Sequence, residues 1–332
     1  MVHALARHYY GAVIMPNKSF IQMQTSKRRF LAALGLIVAV VLASAGTIAA
    51  APKGVTVAVT GDIYTPDVKV VSDAILAHPS VSAVLLAGDT DNANPTPIES
   101  FRKLYNGTYD RFIAKIYPCP GNHDEHSEPA FSGYCEFWGK AAHAPEMYYS
   151  FDLGGWHIVS LDSVTFVKGG ATAEAQLNWL KGDLATKPKA PTFVYWHYPF
   201  FSNAKHCGQP KMKPFWEAIH VHGPAIVING HNHVYERFAP MNPEGRTEPE
   251  TQGIREFVVG PGGAKPVDTE SDKAKGPPSE KFHGGTQHVG FFTLLADGGF
   301  VYTVQSITGK GVTEVVDQGA GNLLGGRVPP AN

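Results

Sequence analysis

The sequence predicts an α/β protein, a layered β-sandwich with helices on the outside, and three observations carry that prediction. From Gly54 onwards, apolar runs of strand length alternate with windows of helix length. The runs are nearly continuous, as expected of strands covered on both faces rather than one. Late in the chain the pattern changes to strands joined by short loops.

Taken in order, 55–60 (Val-Thr-Val-Ala-Val-Thr) is a charge-free run rich in β-branched residues and reads as the first strand. The window 67–78 has helical length and periodicity with its charges on one face, and 83–87 is the next strand. Helices are expected over 98–115, 173–186 and 212–222, with strands at 193–196 and 225–228 between and after them. The stretches 254–259, 289–295 and 300–306 read as a meander. Gly260 to Gly285 is dense in Gly, Pro and charge and has no period, which marks a functional or disordered loop. Residues 318–332 are expected to form a disordered tail, leaving 52–317 as one domain.

Composition narrows the class. Of 332 residues, 43% are apolar and 17% charged, which describes a globular protein. A formal charge of −1 argues against a strongly basic nucleic-acid binder, and no nucleic-acid-binding surface is expected. Three cysteines cannot build a disulfide scaffold, although Cys119 and Cys135 could either pair or remain two thiols.

The charge is unevenly placed. Residues 1–51 hold Arg7, Lys18, Lys27, Arg28 and Arg29 and no acid, so the remainder has 23 bases against 29 acids. Ser26-Lys27-Arg28-Arg29-Phe30-Leu31 leads into an uncharged stretch that ends in Ala49-Ala50-Ala51. A basic head, an apolar middle and a small-residue end read as a signal peptide over 1–51, with Met23 a possible true start. The basic cluster resembles a twin-arginine signal with Lys27 in the place of the first arginine. The expected location is therefore periplasmic or secreted, and membrane contact is expected only through this segment if it stays uncleaved.

Five short segments carry the chemistry, each directly after an apolar strand: Gly61-Asp62, Gly88-Asp89, Gly121-Asn122-His123-Asp124, Trp196-His197 and Gly230-His231-Asn232-His233. Strand ends are where open α/β sheets bind ligands. The glycines permit a tight exit from the strand. Carboxylate, amide oxygen and imidazole together suit Zn, Fe or Mn, and this number of donors suits a pair of ions sharing one aspartate. In the last segment, His231 and His233 are expected to project the same way from extended chain.

The order of these segments resembles the calcineurin-like metallophosphoesterase family, in particular its purple-acid-phosphatase-like bacterial secreted branch. Tyr148-Tyr149-Ser150-Phe151-Asp152-Leu153, Gln176-Leu177-Asn178-Trp179-Leu180, His233-Val234-Tyr235-Glu236-Arg237-Phe238 and Gly253-Ile254-Arg255-Glu256-Phe257-Val258 extend the similarity across 55–306. The resemblance implies a four-layer α/β/β/α fold and two divalent or trivalent ions, with Fe, Zn or Mn expected. It implies that Asp89 bridges the ions, that Asp62 and His233 hold the first, and that Asn122, His197 and His231 hold the second. His123 and His206 would face the phosphoryl group, while Asp124 and Arg237 would be structural. The segments 125–147 and 260–285 would wall the substrate pocket. Two departures stand out. Asn92 replaces the metal-bound tyrosine of the purple enzymes, so their colour should be missing. Tyr64 occupies a position that is often histidine in the wider family, and Tyr64, Asn92 or water would complete the first site.

The function implied is hydrolysis of small-molecule phosphate monoesters by direct attack of a metal-activated hydroxide, with no phosphoenzyme. Two alternatives stay open: a phosphodiesterase acting on nucleotides or phospholipids, and an exported metal-binding or interaction protein whose catalysis has decayed.

Overall fold

The computed structural model describes residues 54–274 and 276–331. The proposed export segment, 1–51, lies outside the described residues. Among those described, no helix is long and apolar enough to cross a membrane.

The charge-free runs assemble into two sheets. Val55–Thr60 (β1), Val81–Ala87 (β2) and Ile116–Cys119 (β3) lie parallel. Gln287–Leu294 (β11), Gly299–Ile307 (β12) and Thr313–Asn322 (β13) add antiparallel on the other side of β1, giving the order β13-β12-β11-β1-β2-β3. The second sheet contains Tyr149–Leu153 (β4), Trp156–Ser160 (β5), Thr192–Tyr195 (β6), Ala225–Asn229 (β7), Tyr235–Arg237 (β8), Ile254–Val259 (β9) and Lys281–His283 (β10). Its order is β10-β8-β9-β7-β6-β5-β4, with β5, β6, β7 and β9 parallel.

Alternation along each strand explains why the runs contain no polar gaps. Val57 and Val59 of β1 meet Phe193 of β6, Ile226 and Ile228 of β7, and Phe257 of β9 in one buried cluster between the sheets. Ala58, one residue out of phase, faces the opposite way. There it packs with Val71 and Ile75 of Val68–Leu76 (α1), Phe101 of Ile98–Tyr105 (α2) and Tyr134 of Ser132–Trp138 (α3). Val194 and Val227 likewise turn outward, toward Phe166 of Ser163–Lys168 (α4), Leu180 of Gly170–Ala185 (α5) and Trp216 of Lys213–His222 (α6). The layers are helix, sheet, sheet, helix.

Several expectations need correcting. The window 98–115 is not one helix: α2 stops at Tyr105, Gly107 turns at φ +71°, and Tyr109–Lys115 continues as a 3-10 helix. The segment 125–147, expected to wall the pocket, instead folds partly as α3 and a 3-10 turn that bury Tyr134 and Trp138 in the core. Of the tail expected over 318–332, residues 318–322 are instead the second half of β13. Gly319 and Gly321 lack the Cβ atoms that would strike the rings of Tyr302 and Phe300, at 2.8 and 2.5 Å, so the two aromatics of β12 cover an otherwise bare strand. Glycine content that suggests coil here makes room for rings. Cys119 and Cys135 are unpaired, and Cys135 Sγ lies 4.0 Å from Met147 Sδ.

One packing histidine is held toward its charged form. His157, 1% exposed on β5, donates Nδ1–H to Asp152 at 3.0 Å and Nε2–H to Asp183 of α5 at 2.7 Å. Burial opposes its protonation, but the hydrogen bonds and charges of Asp183 and Asp152 outweigh burial and raise its pKa. A raised folded pKa means that this stabilisation is fully present below about 6.5 and is lost as pH climbs through the folded value. His157→Gln is therefore expected to cost about 1–3 kcal/mol near pH 6. Its thermal midpoint should approach that of the wild type as the pH is raised above 6.5, and a pH-independent gap in a melting series would exclude the ion pair.

Candidate metal centre

The carboxyl ends of β1, β2 and β3 from one sheet and of β6 and β7 from the other meet at one rim. Gly61 and Gly230 approach so closely that a Cβ on Gly61 would lie 3.4 Å from the Gly230 Cα. The backbone leaves these strands under strain: Asp62, Asp89 and His231 sit at φ 58°, 46° and 68°. Left-handed conformations cost a non-glycine residue about 1–2 kcal/mol, and such outliers concentrate at functional sites.

The strain aims side chains. Asp62 is fully buried, accepts the His231 N–H at 3.1 Å with both oxygens, and faces His233 Nε2 at 3.5 Å. Asp89 Oδ1 accepts the His123 N–H at 2.8 Å and lies 3.3 Å from His197 Nε2. His197 Nε2 is also 3.0 Å from Asn122 Oδ1. The ligating atoms of Asp62, Asp89 and His197 all fall within 4.8 Å of one another, and all three residues are buried. The His231 ring stands 5.0 Å from that of His197 and 4.9 Å from that of His206. His123 donates from Nδ1 to the Ala93 carbonyl at 2.8 Å, which leaves Nε2 for another partner.

The two residues considered for completing the first site sit differently. Tyr64 stands at 37% exposure. Asn92 turns its amide N–H to Asp89 Oδ2 at 2.7 Å, presenting a donor to the carboxylate rather than an oxygen to an ion. Gly230 to Val234 is not extended either: Asn232 N–H bonds back to Gly230 O and Val234 N–H to Asn232 O, both at 2.8 Å. These two successive tight turns send His231 toward His197 and His233 toward Asp62.

Three features fit this donor set to metal ions. His197 donates Nδ1–H to the Ala87 carbonyl at 3.0 Å, so its Nε2 lone pair converges with the oxygens of Asp89 and Asn122. Such a convergence of acceptors requires a cation; a proton on Nε2 satisfies it, and a metal would take that proton's place. The cradle is also drawn tight by glycine: a Cβ on Gly121 would lie 2.2 Å from Asp89 Oδ1, and one on Gly88 would lie 2.4 Å from His197 Nδ1. Finally, carboxylate, amide and imidazole donors are those that transition metals take.

The electrostatics follow from burial and close charge. Burial pushes His197 down, but Asp89 and Asp62 outweigh it and raise its pKa to about 9. Burial raises Asp89, and His197 and His123 more than reverse this, holding it well below the usual carboxylate range. Burial holds His231 well below its ordinary value and also lowers His206. His233 is raised, because Asp62 outweighs its burial.

Asp124 braces the rim. Fully buried, it accepts from Thr90 N at 3.0 Å, Thr90 Oγ1 at 2.8 Å, Asp91 N at 3.1 Å and Gly121 N at 2.8 Å, tying the Asp89 loop to the Asn122–His123 loop. Of the proposed pocket walls, 260–267 packs on the centre: Lys265 O accepts His233 Nδ1–H at 2.7 Å, and Ala264 N–H reaches Asp62 O. Asn232, between the two histidines, has a role that its sequence position does not suggest. Its Oδ1 accepts the His206 N–H at 2.9 Å, and no local pattern announces a partner 26 residues away.

A two-sheet α/β sandwich with aspartate, asparagine and histidine gathered at its strand ends defines a class of metal-dependent phosphoesterases. The profile of the calcineurin-like phosphoesterase family matches residues 55–235, more than half of the chain. The chain belongs to that family. It is 27% identical over 246 residues to purple acid phosphatase 15 of Arabidopsis thaliana, covering 62% of this chain and 44% of the relative. It is 30% identical over 204 residues to purple acid phosphatase 21 of the same plant (55% and 45% covered), and 28% over 162 residues to human acid phosphatase type 7 (40% and 36%). The chain thus spans less than half the length of these curated relatives. Its fold is shared with the Plasmodium protein GAP50, described as the anchor in the inner membrane complex (TM-score 0.61, 14% identity, 83% of this chain and 90% of that one). It is also shared with a purple acid phosphatase from yellow lupin seeds (TM-score 0.59, 15% identity, 80% and 53%).

Proposed function

We propose that the chain is an exported phosphate monoester hydrolase working with a pair of metal ions. The observation that carries this reading is the buried convergence of Asp62, Asp89 and His197 within 4.8 Å. That relatives are named acid phosphatases supports reading the substrate as a monoester.

Asp89 would hold both ions, Asp62 and His233 one of them, and Asn122, His197 and His231 the other. Bound there, two ions acidify water and neutralise the attacking and leaving oxygens of an in-line displacement. The protein's part is to orient and to move protons. The His123 Nδ1–H is committed to Ala93, so Nε2 is the atom free to meet a phosphoryl or leaving-group oxygen. His206, exposed beside His231, would face the same group from the opposite loop. Export rests on the basic head and apolar middle of residues 1–51.

The test is a substrate panel with elemental analysis of the purified protein. The expected result is turnover of p-nitrophenyl phosphate well ahead of bis(p-nitrophenyl) phosphate, with about two metal ions per chain. A reversed preference would favour the diesterase, and bound metal without turnover would favour the interaction protein.

A further inference from the structure

The loop Phe200–Cys207, which carries His206 to the rim, is held by three buried side chains. Glu256 of β9 accepts the N–H groups of Phe200 at 2.8 Å and Phe201 at 3.1 Å. Glu236 of β8 accepts the Asn203 N–H at 2.8 Å and the hydroxyl of Ser202. Asn232 accepts the His206 N–H through Oδ1, while its Nδ2 donates to Ser202 Oγ at 2.8 Å and to Cys207 O at 3.1 Å. Glu236, Glu256 and Asn232 are all fully buried.

Counting donors shows what position 236 requires. Ser202 Oγ accepts from Ala204 N at 3.2 Å and from Asn232 Nδ2, which fills both of its lone pairs. Its one proton is therefore directed to Glu236 Oε2. The other carboxylate oxygen faces the Asn203 N–H. Both neighbours are donors, so both oxygens at 236 must accept. A glutamine would set an –NH2 against one of those donors. The fixed hydroxyl in turn fixes the amide of Asn232, whose oxygen is left to meet His206.

We propose that Glu236 is a positioning residue for His206, acting through the Ser202 hydroxyl and the Asn232 amide. This rests on the phosphoesterase reading of the site. It also ties the His206 loop to the turn that carries His231 and His233, because Asn232 lies between them. Glu236 does not touch substrate in this scheme; it sets where His206 stands.

The experiment compares Glu236→Gln and His206→Ala, singly and together, in the full-length metal-loaded protein. Burial pushes the Glu236 carboxyl up to about 7, so measurements are made at pH 8, where it is ionised. Glu236→Gln is expected to lower kcat/KM for p-nitrophenyl phosphate about 10–100-fold in the wild-type background. In the His206→Ala background the same change should cost less than about 3-fold, because residues that act through one another are not additive. Amide exchange in peptides spanning 200–207 should accelerate in the single variant. Ser202→Ala removes the relayed proton without touching β8 and should reproduce the pattern if Glu236→Gln does not fold. Equal fold-losses in both backgrounds, with unchanged exchange at 200–207, would overturn the proposal. Should the wild type turn over no phosphoester, the functional reading fails, and the exchange measurement still decides whether Glu236 holds the loop.

Discussion

Asp89→Asn is expected to lower kcat/KM for a phosphate monoester by about 10³-fold or more, roughly 4 kcal/mol of transition-state stabilisation, and to release metal. The reason lies in what this carboxylate does with each oxygen. Oδ1 takes the His123 N–H and faces His197; Oδ2 takes the Asn92 amide. An asparagine offers one acceptor to two fixed donors, so one of them is left opposing an N–H. The substitution also removes the negative charge that outweighs burial at His197. The loss therefore falls on the proposed shared ligand, on the second ion's imidazole and on the backbone of His123 together. Steady-state kinetics with elemental analysis checks it; a variant that keeps its metal and its activity would sink the assignment.

Asp124→Ala should be the most destabilising single change at the rim, at about 3–5 kcal/mol. Four donors converge on this one carboxylate, and removing it leaves all of them buried without a partner. At about 2–4 °C per kcal/mol for a protein of this size, the thermal midpoint should fall by roughly 10 °C. Asp124→Asn keeps one oxygen and should fall by about half as much. A midpoint within 2 °C of the wild type would show that the loops do not depend on this brace.

The parts of the fold legible in the sequence are those whose signal is local. β1, β2, β6 and β7 are buried on both faces, so each is an uninterrupted apolar run whatever its neighbours do. Each is followed closely by an acid or a histidine, so the gathering of Asp62, Asp89, His197, His231 and His233 at one rim could be read from these strand ends, with Asn122 added by the end of β3. What stayed hidden depends on contacts remote in sequence. β13 exists because Phe300 and Tyr302 lie over Gly321 and Gly319. α3 starts from a left-handed Phe131 at φ 61°, a conformation that a phenylalanine does not advertise. Asn232 and Glu236 act through a loop some thirty residues upstream. Asn92 shows the same limit, because its residue type suggests an oxygen ligand while its fold neighbours make it a donor.

The two sheets divide the donor set evenly. Asp62, Asp89 and Asn122 follow strands of one sheet, and His197, His231 and His233 follow strands of the other. The rim is thus a seam between two halves, each holding three of the six proposed donors. The anionic half comes from residues 62–122 and the imidazole half from residues 197–233. Any sliding of one sheet over the other would pull carboxylates away from imidazoles before it opened the apolar layer between them. An ion seated there would act as a rivet, converting a shear of the whole sandwich into the breaking of coordination bonds. The sandwich would then be stiffened by the same six side chains that are proposed to hold the ions.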